Sequence, residues 1–390
     1  MKDVFIVSAL RTPIGKQKGY LREWKAPQLL GAVLDGAVEQ IDLDPESIDD
    51  VIAGTVYQVG EQGFTLARMG VLASGLPDTI PGIAVNRQCG SGLSAVQMGA
   101  AMIASGIMDT VIAAGCEHMT KYGIMSDMNG ILHNKEPMGH PFGKFYVNKY
   151  GVPNQIVSAQ KIADKWEISK EECQAFAVSS HQKAQKAADK GYFKNEILPM
   201  KGLDTKGNPV TRDWDETIRP DTCVETLESL KVIKDTKWIT AGLSSTITDG
   251  ASAVVLMSGD RVRALNITPL ARVVTSTVAG SDPELMLTGP IPATTKILEK
   301  AGLTIDDIDI FEVNEAFAPI PLAWAKELKP DMEKLNVNGG ALALGHPVGN
   351  SGCRLTITAV HELKRRKARY ALVTLCTGGG MAPATIFEKA

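Results

Sequence analysis

The chain carries one pattern twice. Ser91 to Met119 reads as helix, turn, strand and then a polar, sulfur-containing loop, and Ser351 to Met381 runs through the same order, with Cys353–Lys364 as helix and Ala371–Leu375 as strand. Upstream, Ile52-Ala53-Gly54-Thr55-Val56 has a counterpart in Ile310-Phe311-Glu312-Val313-Asn314. An offset of about 260 residues is too long for a stacked solenoid, whose units run to roughly 20–50 residues and touch only their neighbours. It points instead to two similar α/β halves packed together. Apolar strands alternating with helices add the expectation of a layered architecture with a largely parallel sheet.

Within that frame, Val4–Ala9 reads as a buried strand and Ala26–Gln40 has helical spacing, while Val51–Gln58 and Thr110–Gly115 are strand-like. From about Thr120 to Leu243 the character changes: charges multiply, Trp166, Trp214 and Trp238 enter, and pieces such as Asn134–Gly143 and Lys201–Thr211 look like loops. Ile162–Lys190 is mostly helical by pattern, with Ser169 and Glu172 spaced as a capping box. This span reads as an insertion covering one face of the sheet. The expected division is 1–119 for the first half, 120–250 for the inserted covering domain and 251–390 for the second half, with part of the first core returning near 240–260.

A chain of 390 residues is too long for one small core. Its net charge of -3 lacks the basic excess that a sequence-independent nucleic-acid binder needs. The opening run Val4–Val7 is too short for a signal peptide, and no stretch approaches the roughly 18 apolar residues of a membrane span. Six cysteines lie scattered without a C-x-x-C pair, so neither a zinc site nor a disulfide framework is suggested, and a reducing, cytoplasmic setting is expected.

Cys89, in Asn86-Arg87-Gln88-Cys89-Gly90-Ser91-Gly92, precedes an apolar run in which, from Val96 to Ile103, only Gln97 is strongly polar. A buried helix is expected there. The unpaired N–H groups and positive dipole end of a helix start favour an anion, so the thiol is expected to titrate below its free value of about 8.5. A buried cysteine is also commonly an inert small hydrophobe. Gly90 and Gly92, which clear space for a bulky electrophile, favour a nucleophile.

Three further motifs fall in the second half. Asn314-Glu315-Ala316-Phe317 ends a strand, where α/β sheets place ligands, although Asn is also a common turn former. Gly345-His346-Pro347-Val348-Gly349-Asn350-Ser351-Gly352 sets one histidine in a glycine-dense loop before a helix, with Pro347 fixing the backbone beside it. Cys376-Thr377-Gly378-Gly379-Gly380-Met381 precedes the strand-like Ala384–Phe387, so its glycines read as a turn between strands with N–H groups free to meet a ligand oxygen.

Taken together with Arg11-Thr12-Pro13-Ile14-Gly15, these motifs match in order and spacing those of the thiolases, the acyl-CoA C-acetyltransferases, and the chain resembles that family over essentially its whole length. The resemblance implies a layered α-β-α-β-α core. It also implies Cys89 as the acylated nucleophile, His346 as its base, Cys376 as a second acid/base and Asn314 as holder of an oxyanion-hole water, with the N–H groups of Cys89 and Gly378 on the thioester oxygen. Arg219 is expected to face the nucleotide of coenzyme A, with Ser245, Ala316 and Phe317 near the pantetheine arm. Acyl-CoA and coenzyme A are the expected substrates, in a homodimer or homotetramer, with no metal or redox cofactor and no nucleic-acid or membrane partner.

The chain departs from the family pattern in the ligand-covering region. Leu243-Ser244-Ser245-Thr246 stands where Asn-Ala-Ser-Gly is common, Gly151-Val152-Pro153-Asn154-Gln155 where Met-Gly is frequent, and Cys116 and His118 where Met and Ser are usual. Two rival readings share the fold: a ketoacyl-synthase-like condensing enzyme, which pairs one Cys with two His or with His and Asn, and a non-catalytic acyl-CoA or lipid carrier. Cys376 argues against the first, because decarboxylation makes a carbanion without a base. Retention of both thiols and His346 argues against the second.

Overall fold

The computed structural model describes residues 2–390. Its first half opens with β1 (Val4–Arg11), buried at every position but Phe5, then β2 (Gly15–Lys16), α1 (Ala26–Glu39), β3 (Asp50–Gly54), α2 (Leu66–Leu72), β4 (Gly82–Val85), α3 (Ser91–Ala104) and the fully buried β5 (Thr110–His118). Pro27 sits in the first turn of α1, where no N–H is needed. The strand expected over 51–58 stops at Gly54, because Val56 and Tyr57 turn their N–H groups to a side chain instead of a neighbouring strand.

The inserted span supplies α4 (Lys144–Tyr150), α5 (Gln155–Lys165), α6 (Lys170–Asp189), β6 (Met200–Leu203), β7 (Pro209–Arg212) and α7 (Val224–Glu228). The expected capping box is present, with Ser169 Oγ accepting from Glu172 N–H at 3.1 Å and Glu172 Oε2 accepting from Ser169 N–H at 2.7 Å. It starts a separate helix, so the helical stretch is two helices and not one. Lys201–Thr211, expected as loop, is largely the β6–β7 hairpin. Asp204 Oδ1 caps the turn by accepting from Lys206 and Asn208 N–H, both at 2.8 Å, and Gly207 takes φ +86°. Its strands are too short and polar to show an alternating pattern.

The chain then returns to the first half through β8 (Thr248–Ser258) and α8 (Gly259–Ala264). β8 lies between β1 and β5, so the segment near 240–260 runs in the sheet of the first half. The second half comprises β9 (Ala271–Gly280), α9 (Pro290–Ala301), β10 (Ile310–Val313), α10 (Pro319–Leu328), α11 (Ala341–Leu344), α12 (Ser351–Arg366), β11 (Tyr370–Thr374) and β12 (Met381–Lys389). The strands follow the order β10-β11-β12-β9-β1-β8-β5-β3-β4, with β2 on β8. The expectation of a largely parallel sheet is corrected: only β3/β4, β3/β5 and β10/β11 are parallel, because β8, β12, β1 and β9 return antiparallel.

The duplication is visible atom by atom. Asp49 Oδ2 accepts from Asp109 and Thr110 N–H at 2.7 and 2.9 Å, and Asp309 Oδ2 accepts from Arg369 and Tyr370 N–H at 2.7 and 3.0 Å. The half-sheets join at a narrow seam, with Phe5 opposite Arg272 and Ile6 opposite Ala271. Between them α3 and α12 press together at glycines: a Cβ on Gly92 would lie 2.8 Å from Cys353 N, and one on Gly352 would strike Leu93 N. Outside, α1 and α2 cover the first half, and α9 and α10 the second. Arg11, fully buried at the end of β1, fastens the inserted span through Glu196 Oε1 at 2.8 Å and both oxygens of Asp215 at 2.7 and 2.9 Å. Among the described residues no helix is long and apolar enough to cross a membrane.

Candidate active site

Cys89 sits on the link from β4 to α3. Gln88 takes a left-handed φ of +50°, a conformation that costs a non-glycine residue about 1 kcal/mol or more. It is held there by Asn86 Oδ1, which accepts from Gln88 N–H at 2.8 Å, and by Ser91 Oγ, which accepts from Arg87 N–H at 2.9 Å and donates to Gln88 O at 2.6 Å. The chain kinks, and the thiol is carried toward the second half. Gly90 permits the approach, since a Cβ there would lie 2.8 Å from Thr377 Cγ2. The N–H groups of Cys89 itself and of Gly378 favour the thiolate, and a Cβ on Gly378 would lie 3.4 Å from Gln88 Cγ.

The expectation of a low-pKa thiol is corrected. α3 begins at Ser91 with Gly90 as its cap, and Cys89 is only 8% exposed. Loss of solvent outweighs the two N–H groups and pushes the thiol up to about 12. Burial thus favours the protonated thiol at Cys89.

His346 is buried after Gly345, whose φ of +85° and lack of a side chain let the turn pass Thr248. Its Nδ1 lies 2.6 Å from Ser351 Oγ, which in turn donates to Pro347 O at 3.0 Å. With the one hydroxyl proton committed to Pro347, Ser351 Oγ receives Nδ1–H, and Nε2 is left with its lone pair free. The Asn314 amide nitrogen stands 3.4 Å from that Nε2, and Asn314 Oδ1 is buried with no partner. Burial, reinforced by the Arg354 charge, lowers the imidazole pKa to about 3, so the ring is neutral.

Asn314 and Cys376 follow neighbouring parallel strands, and Asn314 N–H donates to Thr374 O at 3.1 Å. Cys376 is fully buried. Burial raises its thiol pKa, and so does the proximity of Cys89. After it, Gly379 and Gly380 take φ of +85° and +77° and return the chain into β12, the turn expected from the sequence. The structure thus sets the Cys89 loop against the Thr377–Gly378 turn that follows Cys376, and His346 beside Asn314.

Sequence reasoning passed over the group that ties these loops together. Glu117, fully buried, accepts from Val56 N–H at 2.8 Å, Tyr57 N–H at 3.2 Å, Gln62 Nε2 at 2.6 Å and Gly349 N–H at 3.0 Å. It binds the histidine loop to the first half beside Cys89. Burial pushes its carboxyl up to about 7 in spite of those donors. The available signal was one acidic residue at the end of the apolar run Val111–Cys116. Ser351 was likewise overlooked as the partner of the imidazole.

Of the residues expected around coenzyme A, Ser245 N–H donates to Ala316 O at 2.9 Å and Ser244 bridges to Phe317, so Ser245, Ala316 and Phe317 share one wall. Arg219 is exposed on a different segment, where its N–H donates to His181 Nδ1 at 3.1 Å. Burial and the Arg219 charge lower the His181 pKa to about 4.

The chain matches the family model described as thiolase, N-terminal domain, over residues 4–260 and that described as thiolase, C-terminal domain, over 267–389. A steroid 3-ketoacyl-CoA thiolase of Mycobacterium tuberculosis is 40% identical over all of this chain and 95% of its own. An acetyl-CoA acetyltransferase of Pseudomonas aeruginosa is 39% identical over the whole of both chains. The crystal structure of human mitochondrial 3-ketoacyl-CoA thiolase superposes with a TM-score of 0.89 at 38% identity, covering 100% of this chain and 99% of the other.

Proposed function

The chain belongs to the thiolase family and is an acyl-CoA acyltransferase, and we propose that it cleaves and forms the C2–C3 bond of 3-oxoacyl-CoA through an acyl-enzyme on Cys89. In the cleaving direction His346 Nε2 takes the thiol proton as Sγ attacks C3. Burial raises the thiol pKa and lowers that of the imidazole, so the transfer is coupled to C–S bond formation. The N–H groups of Cys89 and Gly378 stabilise the oxyanion; losing one such donor typically costs about 10²–10³ in rate.

Collapse of the adduct breaks C2–C3 and leaves the shortened acyl group on Cys89. The departing acetyl-CoA enolate takes its proton from Cys376, whose thiolate then deprotonates incoming coenzyme A. The coenzyme A sulfur attacks the acyl-enzyme, Cys89 leaves as thiolate, and His346 returns its proton. Run backward, Cys376 removes an α-proton from acetyl-CoA for condensation, with a water held by Asn314 and the His346 ring on the enolate oxygen. Ser245, Ala316 and Phe317 take the pantetheine arm and Arg219 the nucleotide. The chemistry calls for no metal or redox cofactor.

The observation that supports this reading is the packing of the Cys89 loop on the turn after Cys376, where a Cβ on Gly90 would lie 2.8 Å from Thr377 Cγ2 and one on Gly378 3.4 Å from Gln88 Cγ. We take the chain to act as a homodimer or homotetramer, a reading supported by the unpaired edge of β4, where Ile83 is 43% exposed. The test is thiolysis of acetoacetyl-CoA by the purified protein with coenzyme A, together with intact mass after acetyl-CoA alone. An acetyl adduct that Cys89→Ser removes supports the mechanism. Undiminished turnover in Cys89→Ser sinks it.

A further inference from the structure

Asn314 and His346 are held unequally. The imidazole is tied to Ser351 at 2.6 Å, whereas the Asn314 amide nitrogen stands 3.4 Å from His346 Nε2 and Asn314 Oδ1 is buried without a partner. The aim of that amide is therefore set by the main chain on either side of it. Before it, Asn336 bonds both polar groups of Val313: its Oδ1 accepts from Val313 N–H and its Nδ2 donates to Val313 O, each at 2.9 Å. After it comes Glu315, only 1% exposed. Its Oε1 accepts from Asn336 Nδ2 at 2.7 Å, and its Oε2 accepts from Ser180 Oγ at 2.6 Å and from Leu342 N–H at 3.1 Å.

The three donors belong to three parts of the frame. Asn336 fixes the strand end that carries Asn314. Leu342 lies in α11, which ends at Leu344, two residues before His346. Ser180 comes from α6 of the inserted span, and its oxygen also accepts from Gly340 N–H at 3.0 Å. Gly340 is bare for this purpose, since a Cβ there would strike the Glu315 carboxyl. Every partner of the carboxyl is a donor, so an ionised carboxylate satisfies all of them, and charge-assisted bonds of this kind are stronger than neutral ones. None of the three bonds reaches the loops of Cys89 or Gly378.

We propose that Glu315 is a positioning residue for the carbon–carbon step: through Asn336, Ser180 and α11 it aims the Asn314 amide at the enolate oxygen, and it leaves acyl transfer to Cys89 untouched. The proposal rests on the roles given above to Asn314, Cys376 and Cys89.

Three measurements on one preparation separate the steps. Exchange of labelled coenzyme A into acetyl-CoA needs only acyl transfer to and from Cys89. Uptake of deuterium from heavy water into the acetyl methyl group needs the enolate, with Cys376 taking a proton and returning a deuteron. Thiolysis of acetoacetyl-CoA needs both. Glu315→Gln turns an amide N–H toward one of the three donors, and Ser180→Ala removes one donor. Each is expected to lower deuterium uptake and thiolysis by about tenfold or more and to keep label exchange within about twofold, with Ser180→Thr recovering part of the loss. Placed in an Asn314→Ala background, either change is expected to cost less than about twofold further, because the amide it acts through is already gone. Ser180→Ala carries the test if Glu315→Gln does not fold. Equal losses in all three measurements, or a tenfold loss that persists in Asn314→Ala, overturns the proposal by making the cluster a packing device. A raised KM for coenzyme A with unchanged deuterium uptake also overturns it, by giving Glu315 to the pantetheine wall at Ala316 and Phe317. Absence of label exchange or of deuterium uptake in the unmodified protein sinks the underlying acyl-enzyme or enolate reading, a result distinct from any effect of the variants.

Discussion

His346 Nδ1 and Ser351 Oγ lie 2.6 Å apart across the start of α12, and this bond selects which ring nitrogen is the base. Ser351→Ala frees the imidazole to rotate and to place its proton on Nε2, the nitrogen that has to accept one. The expected result is a fall in kcat of about tenfold or more with little change in KM for acetoacetyl-CoA. Ser351→Thr, which keeps a hydroxyl, is expected to recover part of the loss. Equal loss in both variants would mark the position as a packing site only.

The two thiols have separable duties. Cys376→Ser is expected to retain acetylation on Cys89 by acetyl-CoA, seen by intact mass, yet to lose more than about 10²-fold in steady-state thiolysis, since a general acid/base typically contributes 10²–10⁴. A Cys376→Ser protein that turns over normally would remove Cys376 from the proton path.

Glu117 gives the molecule an ionisation near neutrality. Its carboxyl is raised from 4.5 to about 7 in the folded protein, so the folded state holds this proton more tightly than the unfolded one. Stability from this group is therefore full below pH 4.5 and falls as pH rises toward 7, by about 3 kcal/mol. Glu117→Gln removes the titration but turns an amide donor toward N–H groups, lowering stability overall. Urea unfolding from pH 4.5 to 8 is expected to show the wild-type advantage over Glu117→Gln shrinking with rising pH. A constant or growing difference would contradict the raised pKa.

Gly352→Ala puts a methyl group against the backbone of α3 at Leu93. Overpacking of a buried crossing costs about 1–3 kcal/mol, and here backbone has to move. The midpoint of urea unfolding is expected to drop, and thiolysis to fall with it, because α12 begins beside Ser351. An exposed control, Gly207→Asn in the β6–β7 turn, is expected to leave activity unchanged.

The repeat made the two halves legible, because the same order of apolar segments recurs about 260 residues apart. Antiparallel return of β8 and β12 was not legible, since a largely buried strand carries the same apolar pattern in either direction. Cys89, His346 and Cys376 were legible as candidates because each stands close to glycines at the edge of an apolar run, and Asn314 because it ends a strand. Glu117 and Ser351 escaped, since their meaning lies in partners that are distant in sequence or ambiguous in type. The ionisation of Cys89 was misjudged because solvent access, which decides it, belongs to the packed molecule and not to the local chain.

The loop that carries Cys89 has its twin in the loop that carries Gly349, set against α12 as Cys89 is against α3. In the twin, the backbone N–H of Gly349 is occupied by Glu117, and a Cβ at Gly349 would collide with Thr55. The two loops thus divide the labour: one carries the thiol, and the other carries the imidazole and gives the position that matches the thiol to an anchoring carboxylate. Placing a sulfur at residue 349 would therefore not yield a second catalytic centre: its Cβ would evict the carboxylate that keeps the first one assembled.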